Sequence, residues 1–133
     1  MATLGDLRDA LVTTLTDALD GWNVYRLPPD NIDAPAVAVA GFQVDAGTFA
    51  DTATQVAIDI VVMVSHRHVD QIDQLDELLS PSGNPSIWRA LDDDPDLGGK
   101  VAYCVVRGIG DYRELAVADV PYYAATVSLT AMI

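Results

Sequence analysis

The chain has 133 residues, half of them hydrophobic and a fifth charged, a composition that excludes an intrinsically disordered protein. Twenty acidic residues against seven basic ones leave a net charge of −13. That charge repels phosphate backbones and anionic bilayers alike, and so excludes ordinary nucleic-acid or membrane-surface binding. No apolar run approaches the ~20 residues of a membrane-spanning helix. The opening M-A-T-L-G-D-L-R-D has no basic segment followed by an apolar core, so no secretory signal is expected and synthesis in the cytoplasm is. Cys104 is the single cysteine. It has no partner for an internal disulfide and too little company for a thiolate metal site, and its setting V-A-Y-C-V-V reads as a small buried hydrophobe.

Leu4, Leu7, Leu11, Leu15, Ala18 and Leu19 recur at three- and four-residue steps, which predicts an amphipathic helix from about Leu4 to Asp20. Thr3 and Asp6 resemble a capping box, and Gly21 supplies a left-handed stop. Trp22–Leu27 is a short strand ended by Pro28-Pro29. Pro35 opens a second strand in which Val37 and Val39 share a face and Gly41 marks a bulge or bend. Asp45–Thr54 is small and polar, a hairpin connection longer than usual, with Phe49 in its middle. Then comes Gln55–Ser65, Q-V-A-I-D-I-V-V-M-V-S. Val56, Ile58, Ile60, Val62 and Val64 take one face, while Ala57, Asp59, Val61 and Met63 take the other, polar at first and apolar later. This strand belongs in the middle of the sheet.

Ser65 is expected to cap a second helix with Val69, Ile72, Leu75, Leu78 and Leu79 inside and Asp70, Asp73, Asp76 and Glu77 in water. Asn84 and Pro85 are expected to open a third, short helix through Leu91. An acidic turn, Asp92-Asp93-Asp94-Pro95-Asp96, leads to a strand at Val101–Arg107. Gly108–Asp111 is a turn or bulge, Leu115–Val120 a weak extension, and Tyr122–Ile133 the last strand. The element order is α-β-β-β-α-α-β-β in one domain, residues 1–133. The expected class is α+β, a mainly antiparallel sheet of about five strands with helices on one face.

No catalytic constellation accompanies this scaffold. His66 and His68 lack a third metal ligand, and a solvent-exposed helix start accounts for them better. Asp92, Asp93, Asp94 and Asp96 are interrupted by Pro95 and lack the closing glutamate of a calcium loop, so they read as a solvated acidic surface. Asp59 is the one carboxylate set among apolar neighbours, and solvent, or Arg107 or Arg26 on a neighbouring strand, is its expected partner. Nucleophile motifs, phosphate loops and dinucleotide fingerprints are absent, since Gly108-Ile109-Gly110 has no third glycine. No cofactor and no metal are expected, and the protein is not expected to be an enzyme.

Several stretches do carry a resemblance. V-A-I-D-I-V-V-M-V-S (Val56–Ser65), L-D-E-L-L (Leu75–Leu79), S-I-W-R-A-L (Ser86–Leu91), D-P-D-L-G-G-K-V (Asp94–Val101) and Y-Y-A-A-T-V-S-L (Tyr122–Leu129) resemble the tail-terminator, or tail-completion, proteins of long-tailed bacteriophages. The amphipathic first helix followed by P-A-V-A-V fits the same layout. The resemblance implies a virion structural protein of the phage tail. It implies a hexameric ring that caps the tail tube, stops its polymerisation and docks to the head-side connector. The partners so implied are further copies of the chain, the tail-tube protein and the connector, with DNA passing through unbound. Thr48, Phe49, Asp51 and Tyr122 are candidate contact residues, with Phe49 and Tyr122 expected to be exposed. Asp92, Asp93, Asp94 and Asp96 are candidates for an acidic lumen. Other neck proteins of the same virions, head-closure or head–tail adaptor, and a small non-viral α+β binding domain are the alternatives.

Overall fold

The computed structural model describes residues 4–19, 21–26, 35–44, 55–65, 69–83, 86–99, 101, 103–117 and 119–132. Its elements are α1 (Leu4–Ala18), β1 (Asn23–Tyr25), β2 (Ala36–Val44), β3 (Gln55–Ser65), α2 (Val69–Leu78), α3 (Ile87–Asp93), β4 (Tyr103–Val117) and β5 (Val120–Met132). The order and the α+β class are those the sequence patterning predicts. The strands form one sheet in the order β1-β2-β3-β5-β4, antiparallel except that β1 runs parallel to β2.

β3 lies at the centre. Val56, Ile58, Ile60, Val62 and Val64 are each fully buried against the helices. On the opposite face Ala57 and Asp59 are exposed, Val61 is half-buried and Met63 is buried, the expected gradient. Leu7, Leu11 and Leu15 of α1, Leu75 and Leu78 of α2, and Ile87, Ala90 and Leu91 of α3 complete one core on one side of the sheet. β2 keeps its core face through a bulge. Val39 pairs with Ile60 but Gly41 pairs with Asp59, so Ala40 is extra and the parity switches. Phe42 thereby joins Val37 and Val39 against the core, and the Arg8 guanidinium lies 4.8 Å from its ring centroid.

Local details depart from the sequence reading where a side chain found a better partner. α1 stops at Ala18, and Gly21 takes φ 84°, the expected left-handed stop. Ser65 ends β3, and its N–H donates to the Gln71 side chain of α2, 2.8 Å away; residues 66–68, where the expected cap would act, lie outside the described residues. The third helix begins at Ile87 with Ser86 as N-cap, and the Ser86 hydroxyl donates to the Ser80 carbonyl at 2.7 Å instead of to its own helix. Asn84 and Pro85, the expected start, lie outside the described residues, as does Thr3. Trp88 donates its indole N–H to the Leu79 carbonyl at 2.9 Å, supplying a partner just past the end of α2, where carbonyls lack intrahelical ones. β4 is one strand of 15 residues with two register shifts, so Gly108–Asp111 is bulged strand and not a turn. Residues 117 and 120 close a tight hairpin to β5, with Asp119 at φ 66°.

The turn after α2 leaves no room at Gly83, which is buried; a β-carbon there would fall on the backbone carbonyl of Glu77. Gly83→Ala is therefore expected to destabilise the protein by about 2–3 kcal/mol in urea unfolding; a change within ~0.5 kcal/mol would refute the close approach. The two faces of β3 predict a second contrast. Ile60→Ala removes a fully buried side chain and is expected to cost about 2–5 kcal/mol, whereas Asp59→Ala on the exposed face stays within about 0.5 kcal/mol.

Candidate functional site

The residues singled out by sequence do not converge on one place. Thr48, Phe49, Asp51, His66 and His68 lie outside the described residues. Tyr122, expected to be exposed, is only 8% exposed, because its position opposite Ser65 on β3 packs it with Met63 and Ala124. Asp59 is exposed on the open sheet face, where it is paired in register with Gly41 and Ser128. Arg26, one expected partner, forms its salt bridge with Asp9, and Arg107, the other, forms no ion pair with it among the described residues.

The acidic turn divides in two. Asp92, Asp93 and Asp96 are exposed, while Asp94 is half-buried and ties the fold together. One Asp94 carboxylate oxygen accepts from the Thr14 hydroxyl of α1 at 2.9 Å and the other from the Gly98 N–H at 3.0 Å. Between these anchors Leu97, Gly98 and Gly99 take φ values of 51°, 71° and 86°, three successive left-handed residues. Two are glycines, for which this is unstrained; Leu97 is held there with its side chain in the core. The Pro95 carbonyl then accepts from the Cys104 N–H at 2.6 Å, handing the chain to β4. An aspartate four residues ahead of a glycine pair was the sequence signal for this turn; its partner Thr14, 80 positions away, carried none.

Beside the turn, Asp6, Asp9, Ala10, Thr13, Thr14 and Asp17 of α1 face Asp94, Leu97 and Gly98 across an open cleft of about 520 Å³. Its polar groups serve the fold. Thr13 donates back to the Asp9 carbonyl, Asp9 holds Arg26, and Thr14 holds Asp94. Among the described residues no Ser, Cys or His lines the cleft to form a catalytic pair, and no group of His, Cys, Asp and Glu is arranged to hold a metal ion. Burial pushes the Cys104 thiol up to about 12, so it stays protonated and unreactive. Partial desolvation, and then Asp76 as hydrogen-bond acceptor and negative neighbour, push the phenol of the exposed Tyr112 up to about 12; it is a donor at 2.6 Å to Asp76, joining β4 to α2.

What the described residues leave open is surface. Helices cover one face of the sheet; the other is buried at Ala36, Ala38, Met63, Tyr122 and Ala124 and reaches solvent at Ala57 and Asp59, with Thr126 and Ser128 half-buried beside them. Among the large hydrophobic side chains that are exposed, Tyr103, Val105, Tyr112 and Val120 all belong to the β4–β5 hairpin, with Val44 apart on β2. No protein-family model matches the chain, and no curated protein matches it.

Asp94 supports a pH prediction. The Gly98 N–H, then the Thr14 hydroxyl, hold its carboxyl below the ordinary 3.8 against the opposing effect of desolvation. A carboxylate with a lowered native pKa stabilises fully above the unfolded-state value and loses that contribution as pH falls through the native one. Asp94→Ala is expected to lower the urea midpoint at pH 7, with the gap to wild type narrowing below pH ~4. A gap independent of pH would show that the carboxylate charge plays no part.

Proposed function

We propose that this protein is a tail terminator of a long-tailed phage, a virion subunit that closes into a ring on the end of the tail tube and presents the opposite surface to the head-side connector. The observation that carries the reading is the one-sided architecture: an α+β layer pair whose second sheet face bears no helix among the described residues and is exposed in part, at Ala57 and Asp59, in the element order that the resembling stretches imply. Those stretches coincide with the parts on which the fold depends, namely the central strand, the Asp94 turn and β5. A head–tail adaptor would call for a mostly helical chain and a head-closure protein for a small β-barrel.

The subunit contacts would run through the exposed part of the helix-free sheet face, around Ala57 and Asp59, with Thr48, Phe49 and Asp51 as additional candidates, and repeat around the ring as heterologous contacts that close. Asp92, Asp93 and Asp96 are candidates for the lumen wall, where like charge would let DNA pass without counterion-release-driven adhesion. Tyr122 and Asp94 have structural positions inside the subunit, which makes them weaker candidates for either role. Catalysis has no part in this reading.

Native mass spectrometry of the protein mixed with its tail-tube protein is expected to show a ring of about six subunits, and electron microscopy a cap on tube ends. A mixture in which the protein stays monomeric or dimeric, with tubes growing unchecked, would overturn the proposal.

A further inference from the structure

β4 is the outermost strand, and among the described residues no strand lies on its far side. A 15-residue edge is an open template for another strand. Its register shows an internal symmetry. One bulge makes Arg107 extra, between Val106 opposite Leu129 and Gly108 opposite Ser128. The other makes one residue extra between Gly110 opposite Thr126 and Arg113 opposite Ala124. Tyr112 reaches the helix side to bond Asp76, so the extra residue is Asp111, at φ 52°. The two extra residues are equidistant from Ile109.

The faces follow the same symmetry. Cys104, Val106, Ile109, Tyr112 and Glu114 lie on the helix side, and Tyr103, Val105, Gly108, Gly110, Arg113 and Leu115 on the open side. Read in either direction from Ile109, the sequence of faces is identical.

One charge pair is antisymmetric about the same point, Arg107 on one side and Asp111 on the other, and neither has an ion-pair partner among the described residues; Arg113 and Glu114 mirror onto the uncharged Val105 and Cys104. The two glycines between them are not required by the fold. Neither takes a positive φ, and a β-carbon at either would meet nothing within 4 Å. Glycine inside a strand marks a bulge or close approach by another backbone; both glycines flank the bulges, but the extra residues there are Arg107 and Asp111, and small glycines on the open side also let a second backbone come close.

We propose that a second copy of this chain pairs antiparallel along the outer edge of β4, about a two-fold axis at Ile109. Arg107 of each copy then faces Asp111 of the other, Gly108 faces Gly110, and Tyr103 meets Leu115 on the open side, twice over. An isologous contact needs this self-complementarity, in which residue i meets j and j meets i. It also covers Tyr103 and Val105, two of the exposed large hydrophobics. On a surface of net charge −13, this strip offers each copy both an arginine and a matching aspartate. A two-fold contact does not generate a ring, so this pairing is separate from the ring contact and does not rest on the terminator reading.

Light scattering on the purified protein at rising concentration is expected to show twice the chain mass. Arg107→Glu, at an exposed position, sets like charges together twice and is expected to weaken the dimer about tenfold or more. R107E combined with D111K restores it. Because the native Cys104 thiol is buried, an introduced cysteine can be followed alone. I109C is expected to form a disulfide between copies under mild oxidation, and V105C, which faces Arg113 across the axis, is not. A wild-type protein that stays monomeric at every concentration overturns the proposal, as does a dimer cross-linked by V105C and not by I109C. Loss of the dimer in R107E with capping of tail tubes intact would confirm that the two contacts are distinct.

Discussion

The structure depends on the strict two-residue parity of β3. Five branched side chains on alternate positions are fully buried, and a one-residue slip of either neighbour would turn apolar sets outward. Everything flanking the strand is adjusted to keep that parity. Ala40 is extra in β2 so that Phe42 stays on the core face, and β5 matches β3 without interruption from Gln55 to Ser65. The bulges of β4 lie one strand further out, and their two extra residues leave Cys104, Val106 and Ile109 on the core face. Irregularity is thus confined to strands beside or beyond the centre, never in it.

The helices depend on side chains reaching across turns. Ser86 bonds Ser80, Trp88 bonds Leu79, and Gly83 lets the chain pass against Glu77, so α2 and α3 form one welded corner. Asp94 does the same between α1 and the entry to β4. In each case a polar group at a helix end is satisfied by a partner from another element, the accounting that buried backbone demands.

This explains how much could be read in advance. Elements whose signal is periodicity were legible: α1, β3 and α2, together with the class and order of the whole. Partnerships were not, because they depend on which residues the fold brings together. Ser65 ends a strand, and the acceptor for its N–H is the side chain of Gln71, six positions on, a pairing that no periodicity announces. Tyr122 looked like surface because an aromatic beside Pro121 at the start of a strand gives no sign of what covers it; packing with Met63 decided otherwise. The parallel β1 was hidden too, since a three-residue strand carries too few positions to show a direction. For the candidate site, the exposed carboxylates were readable from composition, whereas the symmetry of β4 emerges only from its register against β5.

The strand order carries a consequence for how the molecule comes into being. β5 is the last strand in the chain yet lies between β3 and β4. As the polypeptide emerges, β1, β2 and β3 can assemble under α1 and α2, but β4 has no neighbour until residues 120–132 follow it. The pairing of β3 with β5 joins positions separated by about half the chain, so the closing step has a high contact order and is expected to be slow. Until then the inner edges of β3 and β4 stand open together. A nascent chain therefore passes through an interval of vulnerability to strand exchange, shortened only by how quickly β4 and β5 zip as a local hairpin.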